Sequence, residues 1–206
     1  MFIALHRNSI LYALIRTFAL VLIVGLVSSC KSEYEQWVSK ELSTGVRNDN
    51  LMLGIYFGMT KSDFFQHCLE LNRQSTITNG PENSTAEITK NGFNEDIAIN
   101  FYPDFEQDKI HIFRMYFNYK QWSPWNKEFH SDKLMPVVVA YLSKTFNTTF
   151  KEMKTPNGKP FWLSIQGNRQ IRAFIKDDKT VNTDISDLTI TAKNPALQPN
   201  HPRVTQ

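Results

Sequence analysis

The chain has 206 residues, enough for one domain or two very small ones, and 41% hydrophobic against 21% charged residues is a globular balance. Aromatics reach 13%, with 15 Phe, which favours a β-rich or mixed core over a plain helix bundle. The formal charge of +3 shrinks once Arg7 and Arg16 are assigned to a leader: the 23 basic residues become 21 against 20 acidic ones, which removes the electrostatic case for nucleic acid or a basic membrane face.

Residues 1–29 read as a secretory leader. Arg7 and Arg16 supply the positive charge, no acid is present, and residues 18–27 are an apolar run with the length of a signal-peptide core. An uncleaved membrane anchor is the alternative, but the run is about half of what a spanning helix needs. Leu26-Val27-Ser28-Ser29-Cys30 resembles the lipobox of bacterial lipoproteins: an aliphatic residue, two small residues, then cysteine. The resemblance implies that Cys30 takes a diacylglyceryl thioether and becomes the acylated mature N-terminus, since several acyl chains hold durably where one holds weakly. The other reading is an unmodified cysteine that follows a signal peptide. The expected address is the cell envelope, lipid-anchored through Cys30, on the periplasmic or surface face of the outer membrane. Cys68 is then the remaining thiol, which rules out an intramolecular disulfide and leaves a buried structural cysteine.

Residues 30–50 read as a lipidated tether. Tyr34, Trp37, Val38 and Leu42 have irregular helical spacing, consistent with a short helix or a partly ordered linker. Lys31-Ser32-Glu33-Tyr34-Glu35 loosely resembles the basic-then-acidic signals that send some lipoproteins to the cell surface. Ser43-Thr44-Gly45 and Asn48-Asp49-Asn50 are turn chemistry and separate the tether from a single domain at 51–193.

That domain is organised around Gly54-Ile55-Tyr56-Phe57-Gly58-Met59-Thr60, expected as a short apolar strand and a glycine turn, and the helix that follows. Thr60 is the expected cap, and Asp63 sits where a capping-box partner or a dipole-complementing anion belongs. Phe64, Phe65, Cys68, Leu69 and Leu71 form its apolar face. A turn at residues 79–84 leads to a short strand at 85–89, and Ile97, Ile99 and Phe101 alternate with Ala98 and Asn100 as a half-buried strand. Pro103-Asp104 is read as a turn. The longest strand covers 109–119, with Ile110, Ile112 and Tyr116 on one face and Phe113, Met115 and Phe117 on the other, so it is central and at least partly covered on both sides.

A second helix spans 131–147 through Leu134, Val137, Val138, Tyr141, Leu142, Thr145 and Phe146, with Pro136 in its first turn and a regular start near Met135. Strands follow at 149–153, 161–166 and around Ile171, Ala173 and Ile175, with Gly167-Asn168 as a hairpin turn. Asp177-Asp178-Lys179 turns into a last strand ending near Thr191, and residues 194–206, with three prolines, read as a disordered tail. The fold class is α+β: an antiparallel sheet with two main helices packed on it, in an order open to a tandem helix-plus-three-strands arrangement.

Chemistry is sparse. His67, His111, His130 and His201 have no metal-ligand spacing, and no paired cysteines, nucleophile elbow, phosphate loop or dinucleotide fingerprint occurs. No catalytic, cofactor-binding or metal-binding residue is assigned, and no enzyme is expected. Asp177, Asp178, Asp184 and Asp187 are read as two turn residues and two solvent-facing strand residues. Trp122 and Trp125 bracket Ser123-Pro124 in a loop with Lys120 and Lys127 alongside. Either these rings mark a partner-binding surface, or they fill the gap between sheet and second helix.

Gly58-Met59-Thr60-Lys61-Ser62-Asp63-Phe64 resembles the Gly-Met-Thr turn that opens the first helix in the SmpA/OmlA (BamE) family of small outer-membrane lipoproteins. It is also similar to β-lactamase-inhibitor-like domains, built from helices followed by antiparallel strands. The resemblance implies a non-catalytic role in binding protein, and the chain departs from that family in carrying a second helix-and-strands unit. The expected function is a lipid-anchored envelope lipoprotein that acts as a protein-binding or assembly module, with an envelope protein as partner and no nucleic acid. The alternative is an envelope ligand-binding or inhibitor protein using the sheet face or the loop of Trp122 and Trp125.

Overall fold

The computed structural model describes residues 32–81, 84–90, 92, 93 and 96–193. The leader at 1–29, Cys30 and the tail at 194–206 lie outside the described residues. Those described fall into two units that divide between Trp37 and Val38. Helix α1, Glu33–Ser43, starts on a capping box, with Ser32 Oγ accepting the Glu35 N–H at 3.2 Å and the Ser32 N–H donating to Glu35 Oε2 at 2.7 Å. Among the described residues no helix is long and apolar enough to cross a membrane.

From Val38 onward one eight-stranded sheet dominates. Its strands are β1 (Ile77–Asn79), β2 (Ala86–Ile88), β3 (Ile97–Glu106), β4 (Lys109–Tyr119), β5 (Lys151–Lys154), β6 (Pro160–Gln166), β7 (Arg169–Ile175) and β8 (Thr180–Asp187). They are ordered β1-β2-β3-β4-β8-β7-β6-β5, with every pairing antiparallel. Helix α2 (Lys61–Arg73) precedes the first four strands and α3 (Ser131–Phe146) the second four. The class is α+β as expected. The tandem is helix plus four strands in both halves, joined edge to edge through β4 and β8, because the short β1 follows α2 directly.

The main core lies on the helix side. Phe101, Phe113, Met115 and Phe117 of the sheet and Leu134, Val138 and Leu142 of α3 are each 0% exposed and belong to one cluster. Phe101 and Phe113 stack at 5.2 Å between ring centroids. Ile112, Leu163 and Ile165 of the sheet, Val38 of α1, and Leu188 of the short helix α4 (Leu188–Thr191) are buried outside that cluster.

Around Gly58 the chain forms a docked turn rather than a strand. Gly58 has φ +84° and donates to the Ile110 carbonyl at 2.9 Å, while the Lys61 N–H reaches the Asp108 carbonyl at 3.0 Å. Thr60 caps α2 as expected, its Oγ1 accepting the Asp63 N–H at 3.1 Å and donating to Asp63 Oδ2 at 2.8 Å. Phe64 and Leu71 are buried, but Phe65 and Leu69 are 43% and 54% exposed. The contact stripe runs through residues 64, 68 and 71, and positions 65 and 69 lie a further 100° around the helix.

Several expected boundaries move. β3 continues through Pro103 to the turn at Gln107 and Asp108. Proline is tolerated because β2 pairs only with Asn100 and Phe101, so β3 is an edge at residue 103. The β3–β4 register shifts at Asp104/Phe105 and leaves His111 without an opposite residue. That bulge sends Ile110 into the helix-side core and Ile112 to the other face, which separates two residues expected together. α3 starts at Ser131, not near Met135, and holds Pro136 inside it. The carbonyl that Pro136 leaves without a donor is that of Asp132, on an exposed turn. β8 ends at Asp187, whose carboxylate accepts the Thr189 N–H at 2.9 Å and caps α4, so the last strand is shorter than expected.

Residues 46–50 are hydrogen-bonded to the β6–β7 turn. Asn168 Oδ1 accepts the Asn48 N–H at 2.6 Å, Asn168 donates its amide to Asp49 Oδ1 at 2.9 Å, and Arg169 donates to the Asn50 carbonyl at 3.1 Å. Gly167 is required there: its φ is +56°, and a Cβ would stand 2.2 Å from the Val46 carbonyl oxygen.

Candidate functional site

The alternation of β4 creates two unlike surfaces. Phe113, Met115 and Phe117 face the helices, and Arg114, Tyr116 and Asn118 face away. Register sets Tyr102 and Asp184 on either side of Arg114, and Asn100 and Asn182 on either side of Tyr116. This face is polar at its centre, which corrects the expectation that β4 is apolar on both sides. Asp184 and Asp187, expected in solvent, are 1% and 2% exposed.

Arg114 lies at the hub. Its Nε and Nη2 donate to Asp104 Oδ2 at 2.9 and 2.6 Å, and its Nη1 donates to Asp184 Oδ1 at 2.8 Å. Burial works against the charge on Arg114, but Asp184 and Asp104 hold its pKa above the ordinary value. Burial pushes the Asp184 carboxyl upward, against the pull of Arg114 and Arg172. Arg172, opposite Asp184 on β7, lies between the Phe161 and Phe174 rings at 5.0 and 4.7 Å. Two guanidiniums and two carboxylates thus neutralise each other beneath the surface, and a chelated acid of this kind is held as an ion-pair partner.

Toward the β1 edge, the same face opens into a pocket of about 500 Å³. Asn100, Tyr102, Tyr116 and Asn118 supply its floor, and Lys176 and Lys179 reach it from the β7–β8 turn. Tyr102 also leans to Phe64 of α2, with ring centroids 6.1 Å apart. The Asn118 Oδ1 is buried and has no hydrogen-bond partner among the described residues, and neither does Asn182 Oδ1 beside it.

The two tryptophans part company. Trp122 is half-buried against the main core, with Lys179 over its ring at 5.4 Å and His130 6.4 Å away centroid to centroid. Trp125 is 83% exposed. The loop between them is ordered: Ser123 and Asn126 bridge, Asn126 Oδ1 accepts the Glu128 N–H at 3.3 Å, and Tyr119 and Phe129 pack edge to face at 5.3 Å. One ring fills a gap and the other stands in solvent.

Cys30 lies outside the described residues. Burial pushes the Cys68 thiol up to about 11, so it is protonated and inert at neutral pH. His67 Nε2 is 2.6 Å from the Leu53 carbonyl, and burial lowers the pKa of His111. Among the described residues no cluster of His, Cys, Asp and Glu could hold a metal. Sequence reasoning missed the pocket, although the run Arg114, Tyr116, Asn118 against Phe113, Met115, Phe117 is a period-two signal for one polar face. Comparison with protein-family models, curated proteins and solved structures finds no match to this chain.

Proposed function

We propose that this protein is a lipid-anchored cell-envelope lipoprotein, held by acylated Cys30, that works without catalysis by binding a protein partner through Trp125. The observation that carries the reading is the 83% exposure of Trp125 on a loop whose neighbours are fixed by packing and hydrogen bonds. A pre-organised aromatic loses little entropy on docking, and tryptophan is enriched among residues that dominate binding energy. Supporting it are the lipobox at residues 26–30 and the Gly58-Met59-Thr60 turn, whose resemblance to the SmpA/OmlA family implies a protein-binding role.

The test is a photo-crosslinker placed at position 125 in cells, with Lys151 as control position. A single envelope protein captured at 125 and not at 151 supports the reading, whereas identical capture profiles overturn it. Trp125→Ala should leave thermal unfolding within about 0.5 kcal/mol of wild type, since the ring touches little. Cys30→Ser should move the protein from the membrane to the soluble fraction, and unchanged membrane association would refute the anchor. A second reading, an envelope ligand-binding protein that uses the sheet face, is favoured by the pocket at Asn100, Tyr102, Tyr116 and Asn118.

A further inference from the structure

The polar-face pocket carries more information than its presence. We infer that it binds an acidic saccharide unit, a sugar ring that bears both hydroxyls and a carboxylate; this deepens the ligand-binding reading and rests on it. Charge comes first. Lys176 and Lys179 line the pocket, and none of the described residues that line it is acidic. Two nearby acids are engaged elsewhere: Glu87, across from Asn100, lies 3.5 Å from Lys120, and Asp177 Oδ1 accepts the N–H groups of Lys179 and Thr180 at 3.0 and 2.7 Å. The pocket therefore favours an anion.

A simple anion does not satisfy the floor. Asn118 Oδ1 is buried without a partner, and a buried acceptor costs free energy until a donor reaches it. Hydroxyl groups supply such donors and carboxylates do not. Tyr102 and Tyr116 add aromatic surface for the apolar face of a sugar ring, and about 500 Å³ lies within the range of small-molecule sites. Lys179, now over the Trp122 ring at 5.4 Å, is a mobile-headed cation that can turn to a carboxylate.

Three probes separate the parts of this inference by calorimetry on the full chain in detergent: galacturonate, galactose and acetate. Galacturonate is expected to bind saturably, with galactose and acetate each at least about tenfold weaker, and Lys176→Gln should weaken galacturonate about tenfold while leaving galactose unchanged. Asn118→Leu should weaken both sugars and leave acetate unchanged. Lys176 is exposed, so that variant folds whatever happens at position 118. Galactose binding as tightly as galacturonate overturns the anion requirement, and acetate binding as tightly overturns the hydroxyl requirement; in both cases a ligand-binding protein remains. If no probe saturates, the acidic-saccharide inference is overturned, while the ligand-binding reading survives for a ligand of another chemical class.

Discussion

On the helix side of the sheet, Phe101, Phe113, Met115 and Phe117 are wholly buried in one apolar cluster. One residue along the same strands, Tyr102, Arg114, Tyr116 and Asn118 point the other way and build ion pairs and a pocket. The difference lies in how each face satisfies its own groups. The helix side satisfies itself by packing and needs no polar partner. The polar face keeps a chelated arginine and unpaired amide oxygens, an arrangement that a sheet selected for stability alone would replace with apolar side chains. Apolar packing is concentrated on one face, and ion pairs and polar side chains on the other.

This contrast can be broken or sharpened. Phe113→Ala should cost about 3–5 kcal/mol, because a fully enclosed ring leaves a cavity that α3 and the sheet cannot close; urea unfolding measures it. Asp184→Ala should cost about 3 kcal/mol, since it removes one of the two carboxylates that hold the largely enclosed guanidinium of Arg114, whose side chain is 15% exposed. Replacing Arg114 by Met together with Asp184 by Leu should recover most of that loss. A double variant as unstable as Asp184→Ala would show that the ion pair is a stability device, and the division between faces would fail.

Gly58→Val should cost roughly 1–3 kcal/mol from backbone strain alone, since φ is +84° and nothing lies within 4 Å of the missing Cβ. A smaller effect belongs to the bulge. Burial lowers the pKa of His111 below its ordinary 6.5, so below that pH the unfolded chain takes up the proton before the folded one does. Stability therefore falls as pH drops through that value, and His111→Gln should flatten the profile below pH 6.5. An unchanged profile would show that the ring is hydrated.

Much of the fold was legible before any coordinates. The Thr60 cap, the positive φ of Gly58, the apolar stripe of α3 and the alternation in β3 and β4 are local patterns, and local sterics and hydrogen bonding suffice to place them. Only part of the candidate site was legible. Trp122 and Trp125 were visible as a pair, yet their opposite fates depend on which ring reaches the core. Asp184 looked like an ordinary strand residue in solvent, because nothing near it in sequence announces Arg114, 70 positions away.

By itself, the sequence determined the α+β class, the antiparallel strands and the tandem order of helix and strands. Tertiary structure alone decided that Ile110 and Ile112 separate at a bulge, that Phe65 and Leu69 stay in solvent, and that Asp184 is buried against Arg114. The physical reason is one of range. Caps, turns and periodicity are settled by neighbours in the chain, whereas burial depends on which strand pairs with which, in what register, and on what covers the face that results.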